Sequence, residues 1–84
     1  MTVKVLLFGP HANVLGADHA VVDIEAAGEV VACGRLRSAM VQQYPALAGL
    51  MQGSRFAVNH AYVDDAAMIH EQDEVALIGM ISGG

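Results

Sequence analysis

Residues 74–84, Glu74-Val75-Ala76-Leu77-Ile78-Gly79-Met80-Ile81-Ser82-Gly83-Gly84, decide how the chain is read. An apolar run from Val75 to Ile81 has the length and composition of a buried strand, and it passes into one small polar residue and two glycines. Chain ends are ordinarily polar and dispensable. A Gly-Gly end is narrow and unbranched, because neither residue has a Cβ to limit φ/ψ or to strike the wall of a tunnel. The reactive group it offers is the carboxylate of Gly84. The pattern points to a tail, residues 79–84, that threads into another protein's active site so that its carboxyl can be activated. Chance alone would put glycine at two given positions in roughly one chain in 200, so the rest of the sequence has to carry the reading.

Working back from that strand, Glu71-Gln72-Asp73 is a polar turn and Asp64-Asp65 opens a loop that returns Met68 and Ile69 towards the core. Arg55 to Asn59 reads as a strand with Phe56 and Val58 on one face. Asn59-His60 reads as a tight reversal into Ala61-Tyr62-Val63, since Asn tolerates positive φ. Before it, Leu36, Met40 and Tyr44 recur at i, i+4 and i+8, the stripe of a helix with one face on a core. Pro45 stops that helix near Tyr44. Its start, somewhere in 30–34, is marked by no Ser, Thr, Asp or Asn. Ala46 to Met51 adds a short helical piece that ends by Gly53. Thr2 to Phe8 is a first strand, apolar on both faces and therefore interior. Asp18 to Ile24 is a second, with Val22 and Ile24 inward and Asp23 outward. His11 to Ala17, closed by Gly16, joins the two, and Ala26-Ala27-Gly28 separates them from the helix. The order is ββαββ, which predicts an α+β domain over residues 1–84, with a mixed sheet whose first and last strands run parallel.

Composition bounds the function. The 84 residues carry a net charge of −5, and Lys4, Arg35, Arg37 and Arg55 are the whole cationic set, so nucleic-acid binding is disfavoured. A partner protein with a basic surface suits the sign of the charge better. No apolar run reaches the ~20 residues needed to cross a bilayer, no signal peptide is recognisable, and one cysteine, Cys33, suits a cytoplasmic setting. His11, His19, His60 and His70 lack the spacing of metal ligands and read as surface residues, and Cys33 reads as a small buried residue at the helix start. Asp64, Asp65, Glu71, Asp73 and Glu74 read as a solvated acidic face with nothing to fix them. Met40, Met51 and Met68 read as core filler. Neither a metal site nor a catalytic constellation is expected.

Several segments together resemble one family: Tyr44-Pro45-Ala46-Leu47 after the helix, Phe56-Ala57-Val58-Asn59 before Tyr62-Val63, and Asp73 to Ile78 leading to Ser82-Gly83-Gly84. The chain is similar, over nearly its whole length, to the small sulfur-carrying subunit of molybdopterin synthase, a ubiquitin-like β-grasp protein related to the thiamine sulfur carrier. Members commonly have two prolines just before the terminal Ser/Ala-Gly-Gly; this chain has Gly79-Met80 instead, and a methionine there is more like the thiamine carriers. The resemblance implies a non-catalytic carrier with no permanently bound cofactor. A partner enzyme related to ubiquitin-activating enzymes would use Mg-ATP to adenylate Gly84, and a persulfide donor would turn it into a thiocarboxylate. The tail would then enter the large subunit, within a heterotetramer, and deliver sulfur to cyclic pyranopterin monophosphate. Gly83 is the threading position. Phe8, Leu77, Met80, Ile81 and Ser82 are candidates for partner contact, with core packing the competing role for Phe8 and Leu77. A carrier for thiamine or another pathway, and a ubiquitin-like protein modifier, stay open as alternatives.

Overall fold

The computed structural model describes residues 1–25 and 28–79. Ala26 and Ala27, part of the expected separator, lie outside the described residues, and so do Met80, Ile81, Ser82, Gly83 and Gly84.

β1 (Thr2–Leu7) pairs antiparallel with β2 (His19–Asp23), and parallel with β7 (Val75–Gly79). β7 pairs antiparallel on its other side with β4 (Ser54–Val58), which forms a hairpin with β5 (Ala61–Val63). The sheet order is β2-β1-β7-β4-β5, so β1 is interior as expected, but the middle strand is β7. The first and last strands are parallel neighbours, in the register Leu7↔Leu77. β1 shows why a strand apolar on both faces need not be covered on both. Val3, Val5 and Leu7 are buried, whereas Leu6 is half-buried and Thr2 and Lys4 are exposed.

The connection from β1 to β2, read from the sequence as a short connector over His11 to Ala17, is a helix, α1 (Gly9–Leu15). Pro10 lies in its first turn, where a missing N–H costs nothing, and Gly16 ends it at φ 71°, a left-handed cap that a side chain would resist. The main helix, α2 (Cys33–Gln43), lays Cys33, Leu36 and Met40 onto the core and stops before Pro45. Tyr44 is half-buried, and its hydroxyl donates to the Val21 carbonyl at 2.7 Å. A 3-10 turn (Pro45–Leu47) and a short helix α3 (Ala48–Met51) follow.

Two strands were not legible in advance. β3 (Val30–Ala32) and β6 (Met68–His70) pair antiparallel as a separate two-stranded sheet, so the ββαββ order lacks one pair. Three residues are too few to establish an alternating pattern, and Val30-Val31-Ala32 had been absorbed into the helix lead-in. The same region explains why α2 has no capping side chain. The Cys33 and Gly34 N–H groups donate to the carbonyls of Ala67 and Asp65, both at 2.9 Å, so the 64–67 loop caps the helix.

The acidic residues are less free than expected. Asp65 accepts from Arg37 Nε at 3.2 Å and Nη2 at 3.0 Å, and Asp64 Oδ1 accepts the Ala66 N–H at 3.0 Å. Asp73 accepts the His70 N–H at 2.8 Å and the Asn59 amide at 3.0 Å, and these bonds, His70's first, hold its carboxyl below the usual range. Asn59 and His60 have φ of 52° and 71°, the two positive values of a tight two-residue hairpin turn. Asn59 also accepts from the Glu74 N–H at 2.9 Å and donates its own N–H to the Glu74 carbonyl at 2.8 Å. The Val-Asn and Asp-Glu-Val segments that carried the resemblance are therefore one structural unit, fastening the β4–β5 turn to the start of β7. Met40 and Met51 are buried, but Met68 is half-exposed on β6 and is not core filler.

Candidate functional site

β7 is the middle strand, flanked by β1 up to Leu77 and by β4 up to its last residue, Gly79, which is exposed. Gly79 pairs with Ser54, the first residue of β4. The end of β1 lies on the other side, with Phe8, 53% exposed, leading into α1. The Met80–Gly84 segment continues the sequence from this point.

Beneath the strand end lies His11, on α1 and only 1% exposed. The expectation of four surface histidines fails here. Position 11 falls in a stretch read as a connector, so no periodicity marked it as inward. The Ser54 hydroxyl has one proton, and at 2.5 Å from the Leu50 carbonyl it is committed there. His11 Nε2, 2.7 Å from Ser54 Oγ, is therefore the donor, which makes this the neutral ring with its proton on Nε2. Nδ1 is left as a buried acceptor with no hydrogen-bond partner among the described residues. Ser54 is in turn held through its carbonyl by Arg37 Nη1 at 3.2 Å. Arg37 also donates to the Met51 carbonyl at 2.8 Å, pairs with Asp65, and stacks 5.1 Å above the Phe56 ring, so α2, α3 and β4 are joined behind the site. A groove of about 690 Å³ beside these residues, between α2 and α3, contains Arg37, but that guanidinium is already engaged by carbonyls and carboxylate.

Burial pushes the His11 pKa below its ordinary 6.5, and the nearby Phe8 carbonyl pulls more weakly the other way. A group that is harder to protonate when folded makes the unfolded chain the better proton binder. Its contribution is fully present above 6.5 and is lost as pH falls from 6.5 towards the folded pKa. The expected result is that urea midpoints of the wild type fall with acidification in this window more steeply than those of His11→Gln. Parallel curves would show that His11 contributes nothing to the dependence.

The sheet face opposite the helices is a shallow apolar surface. Pairing sets His19, Leu6, Ala76, Ala57 and Tyr62 in one row across it, with Ile78 beside Arg55 in the next. Leu6, Ala76, Ala57 and Ile78 are half-buried and Tyr62 is 55% exposed, with Arg55 stacked 5.5 Å from its ring. Phe8 extends this face at the end of β1. Leu77 does not share it. It is wholly buried, paired with Phe56 and Leu7, and belongs to the core rather than to a partner patch. The outward residues of β7 are Ala76 and Ile78, one position either side. Met80, Ile81, Ser82, Gly83 and Gly84 lie outside the described residues. Among the described residues, no three His, Cys, Asp or Glu side chains converge as metal ligands, and no helix is long and apolar enough to cross a membrane. Cys33 is buried beside α2's start, and burial pushes its thiol up, away from the reactive thiolate.

Known proteins agree with this architecture. The sequence pattern of the ThiS family matches residues 5–84. A Chlamydomonas reinhardtii protein described as a molybdopterin synthase sulfur carrier subunit is 31% identical over 86 residues, covering 100% of both chains. Among solved structures, SAMP1 from Haloferax volcanii aligns with a TM-score of 0.78 at 23% identity over 100% of both chains. A chain of the complex of subunits 1 and 2 of molybdopterin-converting factor from Helicobacter pylori aligns at 0.65 and 22%, again over 100% of both. The structural likenesses identify the fold as a ubiquitin-like β-grasp. With nearly every residue inside the matched region and a relative 31% identical from end to end, the chain belongs to the ThiS family.

Proposed function

We propose that the protein is the sulfur-carrying small subunit of a molybdopterin synthase, with Gly84 as the carrier group and the folded body as its handle. The observation that carries this is the position of β7: the middle strand of a β-grasp sheet ends at Gly79, and Met80-Ile81-Ser82-Gly83-Gly84 follows directly in sequence. The end-to-end likeness to a molybdopterin synthase sulfur carrier subunit supports the choice of pathway.

The chemistry needs little from the chain itself. A carboxylate resists nucleophiles because of its charge and its poor leaving group. In the proposed cycle a Gly84 oxygen attacks the α-phosphorus of Mg-ATP in an activating enzyme, and pyrophosphate leaves. The terminal sulfur of a protein persulfide then displaces AMP from the acyl carbon. Cleavage of the resulting acyl disulfide by a thiol leaves the Gly84 thiocarboxylate, whose sulfur is softer and more nucleophilic than oxygen. In the large subunit that sulfur passes to cyclic pyranopterin monophosphate, and two deliveries complete the dithiolene. Acid-base groups and phosphate-binding cations come from the partners, so the small subunit is not an enzyme on its own and holds no resident cofactor. The cycle runs in the cytoplasm.

The apolar sheet face is the surface that suits docking to the large subunit, since Leu6, Ala76, Ile78 and Phe8 border the strand that leads to the tail. Ala76→Arg sets a long cation in the middle of this face without touching the core. The expected result is a loss of about 2 kcal/mol, roughly thirtyfold, in affinity for the large subunit at unchanged thermal stability. Unchanged affinity, by calorimetry, would remove this face from the interface. The function itself is tested by mixing the thiocarboxylated chain with its organism's large subunit and cyclic pyranopterin monophosphate and assaying dithiolene product. No product, with sulfur transferred instead in thiamine synthesis, or isopeptide adducts on cellular lysines, would assign one of the alternative carriers.

A further inference from the structure

The carrier reading leaves one buried polar group without a task. His11 is 1% exposed, its Nε2–H is committed to Ser54, and its Nδ1 lone pair is buried and unpartnered among the described residues. A buried acceptor left open costs about 1–3 kcal/mol, so retaining it calls for a reason. The ring lies against the strand end. A Cβ built on Gly79 would stand 3.1 Å from His11 Cε1, closer than side chains ordinarily pack, and in ordinary contact with Nδ1 at 3.6 Å. Gly79 has no positive φ to demand glycine, so the ring, not the backbone, is what resists a side chain there: it would have to give by a few tenths of an ångström. Ser54, the partner of Gly79 in the β4–β7 ladder, holds the other side of the imidazole. Residue 79 is thus gripped between a ladder pair and a ring fixed by that same pair.

We propose that His11 is a positioning residue for the tail: its imidazole, braced by Ser54, packs on Gly79 and fixes the strand end from which Met80–Gly84 is presented to the activating enzyme. This rests on the carrier reading and deepens it, tying activation to the absence of a side chain at residue 79. It also makes presentation sensitive to acid, because a second ring proton brings charge against the strand end. Little else there answers to pH. α1, the Pro45–Leu47 turn, α3 and β7 contain no titratable side chain besides His11. On β4, Arg55 faces the opposite side over Tyr62, and Arg37 reaches Ser54 from α2 together with Asp65.

A double-mutant cycle on the full chain tests the proposal. Gly79→Ala, His11→Ala and the double variant are compared in ATP–pyrophosphate exchange catalysed by the organism's activating enzyme, with thermal midpoints measured in parallel. Misplacing a reacting group by about 1 Å costs on the order of a hundredfold. Gly79→Ala is expected to lower kcat by about tenfold to a hundredfold with little change in KM. In the His11→Ala background, where the ring is gone, the same change is expected to add less than about twofold. His11→Gln keeps a donor to Ser54 and removes the ring's acid titration, so its exchange rate should stay flat with falling pH below 6.5 while the wild-type rate falls. Additive effects in the cycle, or a Gly79→Ala rate equal to wild type, would overturn the positioning role while normal wild-type exchange left the carrier reading standing. Absence of exchange by the wild type would overturn both.

Discussion

Removal of Gly84 is expected to abolish sulfur loading and to leave the fold and thermal midpoint unchanged. The strand that leads to the tail is anchored well before its end. Val75 and Leu77 are wholly buried, and β7 is paired with β1 up to Leu77 and with β4 up to Gly79, so the body's stability does not draw on the terminal glycine. Loading does. Adenylation requires the carboxyl at the α-phosphorus, and a tail shortened by one residue ends up to ~3.5 Å short in an extended chain, a distance at which positioned reactions fail. Lengthening by one residue after Gly84 is expected to have the same effect, since the new carboxyl would overshoot and carry a different neighbour. Intact mass after incubation with activating enzyme, ATP and a persulfide source is the readout. A truncated chain that still gained the mass difference between sulfur and oxygen would place the loaded group elsewhere.

Phe56→Ala brings the domain close to unfolding. Phe56 is 1% exposed and is the largest fully buried side chain among the described residues. It is paired with Leu77 on the middle strand and Val63 on β5, and it lies under the Arg37 guanidinium. Deleting a buried phenylalanine costs about 3–5 kcal/mol, and the lost cation–π contact adds about 0.5–1 kcal/mol. Against a total of roughly 5–15 kcal/mol for a domain, little margin remains. Phe56→Leu, which nearly refills the space, is expected to cost far less. Urea denaturation with both variants decides the point, and a loss below about 1 kcal/mol for the alanine would show that the site collapses around the gap.

The parts of the fold that repeat a pattern over five or more residues were readable in advance. Thr2 to Phe8 reads as an interior strand, although not which of its faces turns inward, Leu36 and Met40 recur one helical turn apart, and Pro45 ends α2 where a proline should. Asn59-His60 announced its hairpin through residue chemistry alone. What failed depended on partners far away in the chain. β3 exists because β6 pairs with it, and α2 starts at Cys33 because the 64–67 loop supplies its capping carbonyls. Arg37 and Asp65 meet across folds that no local window can see.

The candidate tail stands out in the sequence, whereas the body around the strand end was obscure. Gly83 and Gly84 are conspicuous by composition. On β7, however, all of Val75 to Ile78 is apolar, and an unbroken apolar strand gives no sign of which set faces in. Leu77 was therefore left between partner contact and core packing; the core role holds, and Ala76 and Ile78 are the residues that face outward. His11 was missed for the reverse reason: a histidine is ordinarily exposed, and only the placement of Ser54 and Gly79 makes a buried pocket for it. The Gly79 that departs from the familiar proline pattern acquires a physical reason from the same contact.

The central claim is that Gly84 carries sulfur. It is tested most directly by intact-mass and fragment analysis of the wild-type chain after incubation with ATP, its activating enzyme and a persulfide donor. The expected result is a gain equal to sulfur minus oxygen, confined to the fragment that ends in Gly84 and dependent on ATP. An unchanged mass, or a Gly84 found joined through an amide bond to a lysine of another protein, would contradict it.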